Sequence, residues 1–250
     1  MTFTGAIGRA FMLPLRAIIN AAVALGIHPN LLTLIGALIN IVAAFFLATD
    51  RFITAGIVML IANIFDFIDG KVAHITGTQS QFGAFWDSTL DRFSDLALFT
   101  GMIWLYAELG RYGYVLVATL ALIFSIMTSY ARARAESLIE KCEVGFMERP
   151  ERIVLLMIGA FTDRMAGVLW VILVLAIITV SNRIYYTYLA LNNKPMPQGW
   201  FARFFFWRDA RATLPYDIWV VIILAFVWLV PPDWISDPTA TGMGLLGFLR

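Results

Sequence analysis

The segment from Leu31 to Thr49, LLTLIGALINIVAAFFLAT, contains no charged side chain and no proline. As a helix at about 1.5 Å per residue, it matches the roughly 30 Å hydrocarbon core of a bilayer. Largely apolar runs, some with charged residues, recur at Phe52 to about Phe67, Phe82 to Tyr106, Tyr114 to Tyr130, Met165 to Val180 and Ile218 to Val230. Ile153 to Phe161 is apolar as well, but too short to span alone. The chain is 60% hydrophobic and only 14% charged, where soluble domains carry about 25% charged residues. The class is an all-α integral membrane protein. A net charge of +1 says little about partners, no nucleic-acid partner is expected, and the single Cys142 excludes an internal disulfide.

The first thirty residues, MTFTGAIGRAFMLPLRAIINAAVALGIHPN, hold no small-residue cleavage site after a compact apolar core, so they read as retained. Arg9 and Arg16 interrupt the apolar pattern, which predicts an amphipathic interfacial helix over 1–28 rather than a span. His28-Pro29-Asn30 can start the next helix, and Asp50-Arg51, Glu108 to Gly113 and Asp163-Arg164 are tight connections. The fourth run is predicted to continue as helix through ARARAESLIEK, and the Met165 run through SNRIYYTYLALNN. With the N-terminus in the cytoplasm, fourteen of the 18 basic residues fall on the cytoplasmic side; only Arg51, Arg111, Arg164 and Arg250 fall opposite. That bias predicts a cytoplasmic face for the region around residues 66–91.

This region, DFIDGKVAHITGTQSQFGAFWDSTLD, places Asp66, Asp69, Asp87 and Asp91 in an otherwise apolar chain. A carboxylate in or near hydrocarbon is costly and marks a functional site by default. Spacings of three (66, 69) and four (87, 91) put each pair on one helix face. If the two faces meet around the intervening loop, the carboxylates repel one another unless cations neutralise them. Hard divalent ions, Mg²⁺ or Mn²⁺ and two of them, suit an all-oxygen donor set. Gly70 and Gly83 would let a backbone or a bulky ligand approach closely. Metals beside basic residues suggest phosphate or pyrophosphate chemistry. A carboxylate-lined cation transporter, or a structural pairing with Arg92, remains an alternative on these residues alone.

The full spacing, D-x2-D-G-x2-A-H-x8-G-x3-D-x3-D, resembles the signature of the CDP-alcohol phosphatidyltransferase family, which has arginine where this chain has His74. The resemblance implies an N-terminal interfacial helix, a six-helix transmembrane core over 29–192, and usually a homodimer. It implies transfer of a phosphatidyl group from a CDP-linked lipid to an alcohol with release of CMP. It further implies metal binding by Asp66, Asp69, Asp87 and Asp91, with Asp91 also the general base. CDP-lipid binding would fall to Asp69, Gly70, Ala73, His74, Gly83 and Asp87. Arginine is always charged and can grip phosphate bidentately, whereas neutral histidine cannot, so His74 implies a weakened or altered contact.

SYARARAE (129–136), ERPER (148–152), DSTLDRFSD (87–95) and ITVSNR (178–183) resemble the branch that makes phosphatidylinositol phosphate, or its archaeal ether-lipid counterpart. That resemblance implies that Arg132, Arg152 and Arg183 bind the phosphate of the acceptor, inositol phosphate or a similar phosphorylated polyol. Three basic groups from three helix ends suit a dianion; the alternative is that they anchor to lipid headgroups. Phosphatidylglycerophosphate or phosphatidylserine synthesis is the other expectation within the same chemistry. The prokaryotic cell membrane is the expected location. Residues 193–250 exceed the six-helix plan and hold an extra apolar helix. Their aromatic and basic residues, Trp200, Phe204, Phe205, Phe206 and Trp207 with Arg203, Arg208 and Arg211 outward, read as interfacial. Arg134 and Arg149 read as anchors or as ion-pair partners of Glu136, Glu148 and Glu151.

Overall fold

Proline punctuates this chain where helices begin. Pro29, Pro150 and Pro215 each occupy the first or second position of a helix, where the missing N–H costs no intrahelical bond. In the computed structural model, residues 15–197, 199, 202, 206–207, 211, 213–237 and 239–240 are described. The features expected at Arg9, Trp200, Arg203, Phe204, Phe205 and Arg208 lie outside them. The helices are α1 (Leu15–Ala24), α2 (Pro29–Ala48), α3 (Phe52–Thr76), α4 (Gln81–Glu108), α5 (Tyr112–Glu136), α6 (Arg149–Thr162), α7 (Met165–Leu191) and α8 (Leu214–Leu229). A 3-10 turn follows at Pro232–Ile235. No strand occurs among the described residues.

Of the six helices α2 to α7, four are long and apolar enough to cross a membrane: α2, α3, α5 and α7. α4 has the length, at 28 residues, but carries Asp87, Asp91, Arg92 and Asp95; α6 has only 14 residues. Outward faces stay apolar, as at Leu38, Ile41, Val42 and Phe45 of α2, which suits hydrocarbon rather than water. The protein is an integral membrane protein.

The chain forms two compact units, one up to Leu105 and one from Tyr106. In the first, α1 turns Ile19 and Ala22 onto Leu32 of α2 and Ile68 and Val72 of α3, while Arg16 and Asn20 stay exposed. Ile18 and Leu25 are exposed as well. α2 and α3 pack along each other, and Gly36 sets the approach: a Cβ there would lie 3.3 Å from the Ala62 carbonyl oxygen. At the other end of α2, a Cβ on Gly101 of α4 would fall on the Ala44 carbonyl. In the second unit α7 is the centre. Its most apolar stretch is 67% buried, against 33% for α5, and α5, α6 and α8 all contact it.

Two helix ends differ from expectation. α3 does not stop near Phe67 but runs to Thr76, closed by Gly77 in the left-handed region (φ 66°), so the first half of the aspartate motif is helical. α5 ends at Glu136, short of the expected Lys141, with Ser137 as its cap. An irregular stretch then carries the chain to Glu148, the residue that precedes α6.

Gly101→Ala should force α4 away from α2, because the obstacle is backbone and cannot rotate aside. Thermal unfolding of the detergent-solubilised protein should show a loss of about 1–3 kcal/mol, the usual scale of overpacking.

Candidate active site

Three helix ends converge in the first unit. α3 closes at Gly77, and Ser80 opens α4 by accepting the Gly83 N–H on its hydroxyl at 2.9 Å. α2 starts alongside, its first turn fixed by the Asn30 N–H donating to His28 Nδ1. The Trp86 indole N–H donates to the Asn30 carbonyl at 3.1 Å and ties α4 to α2. Between them lies an open cleft of about 230 Å³, lined by Asn30, Thr33, Asp69, Gly70, Ala73, Thr78 to Ser80, Gly83 and Asp87, among others.

Helical periodicity explains which motif residues reach it. Positions 66, 69, 70 and 73 form one stripe of α3, and 83, 87 and 91 one stripe of α4. Of these, Asp69, Gly70 and Ala73 of α3 and Gly83 and Asp87 of α4 line the cleft, while Asp66 and Asp91 are not among its lining residues. Asp69, at 6% exposure, accepts a 2.6 Å hydrogen bond from Thr33 Oγ1. Carboxylate oxygens of Asp66, Asp69 and Asp87 all lie within 4.8 Å of one another. Asp91 stands one turn further along α4, half-buried and outside that group of three. A Cβ on Gly70 would meet nothing within 4 Å, so its missing side chain serves the open cleft rather than protein packing.

This donor set fits a hard divalent cation. All three groups are carboxylates, their oxygens are close enough to share an ion, and neither His nor Cys belongs to the cluster. His74 is exposed and is not among the residues that line the cleft. Lys71, the nearest cation in sequence, is also exposed, with its ammonium 5.7 Å from the centre of the Phe67 ring. Arg92 donates to the Ser88 carbonyl.

The second unit gathers the three expected arginines. Arg183 is 2% exposed; it donates to the Thr128 carbonyl at 2.6 Å, the Val144 carbonyl at 3.0 Å and Glu148 at 3.0 Å. Arg152, 1% exposed, donates to Thr128 Oγ1 at 3.1 Å. Arg132 donates to Glu148 at 2.7 Å and to Glu136 at 3.0 Å. Thr128 thus joins Arg152 to Arg183, and Glu148 joins Arg183 to Arg132.

Arg211, expected as an outward interfacial side chain, is exposed and is also ion-paired. It donates to both oxygens of Glu151, at 2.7 and 3.1 Å, and to Glu148 Oε2 at 2.8 Å. Pairing with Glu151 holds its guanidinium charged, its pKa raised above the ordinary value. Arg134 turns to Ser137 Oγ instead of a glutamate. The sequence reading also missed Thr33, Asn30 and Thr78 to Ser80 as cleft residues. Thr33 lies a full helix away in sequence, and its one available signal was a hydroxyl within an apolar run.

The family model for CDP-alcohol phosphatidyltransferase matches residues 26–181. The chain is 36% identical over 173 residues to an archaetidylinositol phosphate synthase of Pyrococcus horikoshii, covering 69% of this chain and 89% of that one. Its fold resembles the crystal structure of Mycobacterium tuberculosis phosphatidylinositol phosphate synthase with CDP-DAG bound. The TM-score is 0.67 at 25% identity, over 74% of this chain and 98% of that one. The same enzyme in complex with manganese and citrate gives a TM-score of 0.65 at 28% identity, over 69% and 88%.

Asp69→Asn, and likewise Asp66→Asn or Asp87→Asn, should weaken Mn²⁺ binding about tenfold or more, since each removes one anionic donor from a set of three. Electron paramagnetic resonance titration of free Mn²⁺ against purified protein measures this without turnover.

Proposed function

Because the chain belongs to the CDP-alcohol phosphatidyltransferase family, we propose that it transfers a phosphatidyl group from CDP-diacylglycerol, or an ether analogue, to inositol phosphate or a similar phosphorylated polyol. The observation that carries this reading is the carboxylate group of Asp66, Asp69 and Asp87, two of which, Asp69 and Asp87, line a cleft walled by Gly70, Ala73 and Gly83. A bare glycine face with three carboxylates suits a nucleoside diphosphate held through cations better than it suits an ion path.

In this reading the CDP group lies along Gly70, Ala73 and Gly83, where no side chain obstructs the approach of a pyrophosphate. Asp66, Asp69 and Asp87, with Asp91, hold one or two Mg²⁺ or Mn²⁺ ions. Bound there, such ions offset the pyrophosphate charge and stabilise departing CMP. Thr33 keeps Asp69 aimed into the cleft. Asp91 takes the proton of the acceptor hydroxyl. The acceptor oxygen bonds to the phosphorus that bears the lipid, and the anhydride bond from that phosphorus to CMP breaks.

Arg132, Arg152 and Arg183 bind the acceptor's phosphate. Buried guanidinium groups held by backbone carbonyls and Thr128 are pre-oriented, which suits bidentate contact with a dianion. An uncharged alcohol would gain nothing from them. The site faces the cytoplasm, a reading supported by the basic-residue bias and by the helix geometry. Asp69 lies 17 residues into α3, about 26 Å along its axis, close to the far side of a hydrocarbon core that starts at Phe52.

Purified protein should release CMP from CDP-diacylglycerol only with a divalent ion and inositol phosphate both present. Glycerol phosphate or serine as the sole effective acceptor would overturn the assignment. Asp91→Asn should reduce transfer by about 10²-fold or more, the usual scale of a general base, while CDP-lipid binding persists. His74→Arg should lower the apparent KM for the CDP-lipid; an unchanged KM would remove residue 74 from the nucleotide contacts.

A further inference from the structure

We propose that Arg211 is a specificity-determining positioning residue, which makes the arginine cluster of the second unit competent for a dianionic acceptor. This rests on the reading of Arg132, Arg152 and Arg183 as the acceptor-phosphate site, and it assigns a role to the part of the chain beyond the family-matched residues 26–181.

The starting point is the carboxylate of Glu148. Its Oε1 accepts from both Arg132 and Arg183, at 2.7 and 3.0 Å. That oxygen already occupies the donors a phosphate would need. Left alone, Glu148 and Glu151 would offset the charge of these arginines and repel an incoming dianion. Arg211 counters both: its Nε and one terminal nitrogen take Glu151, and the same nitrogen takes Glu148 Oε2 at 2.8 Å. It adds one positive charge to the network and pairs with the far oxygen of Glu148, whose near oxygen stays with Arg132 and Arg183. The Tyr216 hydroxyl donates to Glu151 Oε1 at 3.0 Å and completes the clamp.

Aromatic residues a few positions before Arg211 pack against the stretch that carries Glu148. Trp207 packs at a tilt against Phe146 at 4.4 Å and against Trp219 at 5.1 Å between ring centres, and Phe146 meets Tyr216 at 5.6 Å. The Gly145 N–H donates to the Phe206 carbonyl at 3.0 Å, and Phe206, 2% exposed, shares a core with Cys142 and Val144. Phe206 and Trp207 are thus strapped to the stretch 142–148 that delivers Glu148. With its side chain 53% exposed, Arg211 can be replaced without opening that core.

The test is the split between the two substrates. Arg211→Ala should raise the KM for inositol phosphate about five- to tenfold, the effect of losing one charge near a partly solvated site. The KM for CDP-diacylglycerol and kcat should stay unchanged, and Arg211→Lys should recover most of the loss. Inorganic phosphate is the probe that needs no turnover: its affinity for the purified protein should fall by a similar factor in Arg211→Ala. Adding Glu151→Gln to Arg211→Ala should restore it, because one negative charge leaves with the positive one. An unchanged acceptor KM and phosphate affinity, or equal losses for both substrates, would overturn the role of Arg211. If wild-type protein uses no phosphorylated polyol yet loses phosphate affinity in Arg211→Ala, the acceptor assignment fails while the charge role of Arg211 stands.

Discussion

A hydrogen bond of 2.6 Å from Thr33 to Asp69 sits where the rest of the first unit has to agree. A carboxylate only 6% exposed is costly unless its oxygens are satisfied. Satisfying one of them requires α2 to pass within a hydroxyl's reach of α3. Gly36, one turn beyond Thr33, allows that approach: a Cβ there would lie 3.4 Å from the Phe65 Cβ and 3.7 Å from the Asp66 nitrogen. The same closeness keeps Asp66 and Asp69 at a fixed height against α4, where Asp87 completes the group. A helix pair spaced by larger residues would still span a bilayer, but it would leave Asp69 without this partner.

The second unit solves an opposite problem. Two nearly buried guanidinium groups, Arg152 and Arg183, need acceptors, and neutral ones supply much of the need: the Thr128 hydroxyl and carbonyl and the Val144 carbonyl. Carbonyl acceptors orient a guanidinium without cancelling its charge, so an anion is still attracted. Glu148 does cancel charge, and its position immediately before α6 explains why it is there. The first turn of a helix favours an acidic side chain, and Glu148 and Glu151 both meet that preference. The acidic preference of a helix start and the charge of the two arginines therefore meet at one residue, and Arg211 pairs with its far oxygen.

Much of this was visible in the sequence, for reasons that can be named. Helices α2 and α7 announce themselves because a long run without charge has few alternatives in a bilayer. The facing stripes of α3 and α4 are encoded by spacings of three and four. Helix ends were harder: polarity at Asp66 looked like the end of a span, yet α3 continues for three more turns to Gly77, since a polar residue ends an apolar run without ending a helix. Thr33 and Arg211 were invisible as partners for a different reason. Each acts across a large sequence separation, 36 residues to Asp69 and 60 to Glu151, and neither belongs to a local pattern that would single it out.

His74 follows from the same geometry. It is next to Ala73, which lines the cleft, and one residue along a helix turns a side chain by about 100°. A residue there leaves the wall and points outward, as the exposure of His74 shows. A long arginine can bend back from such a position towards an anion; an imidazole on a single methylene has no comparable reach. Lys71 has the length, but its ammonium rests against Phe67. The last turns of α3 therefore present the cleft with glycine and alanine where a fixed cation would otherwise reach in. The polar groups on the rest of the rim are neutral: Asn30, Thr78, Gln79 and Ser80. No guanidinium is among the described residues that line the cleft, so under the proposed reading the charge of a diphosphate there would fall more heavily on cations held by Asp66, Asp69 and Asp87.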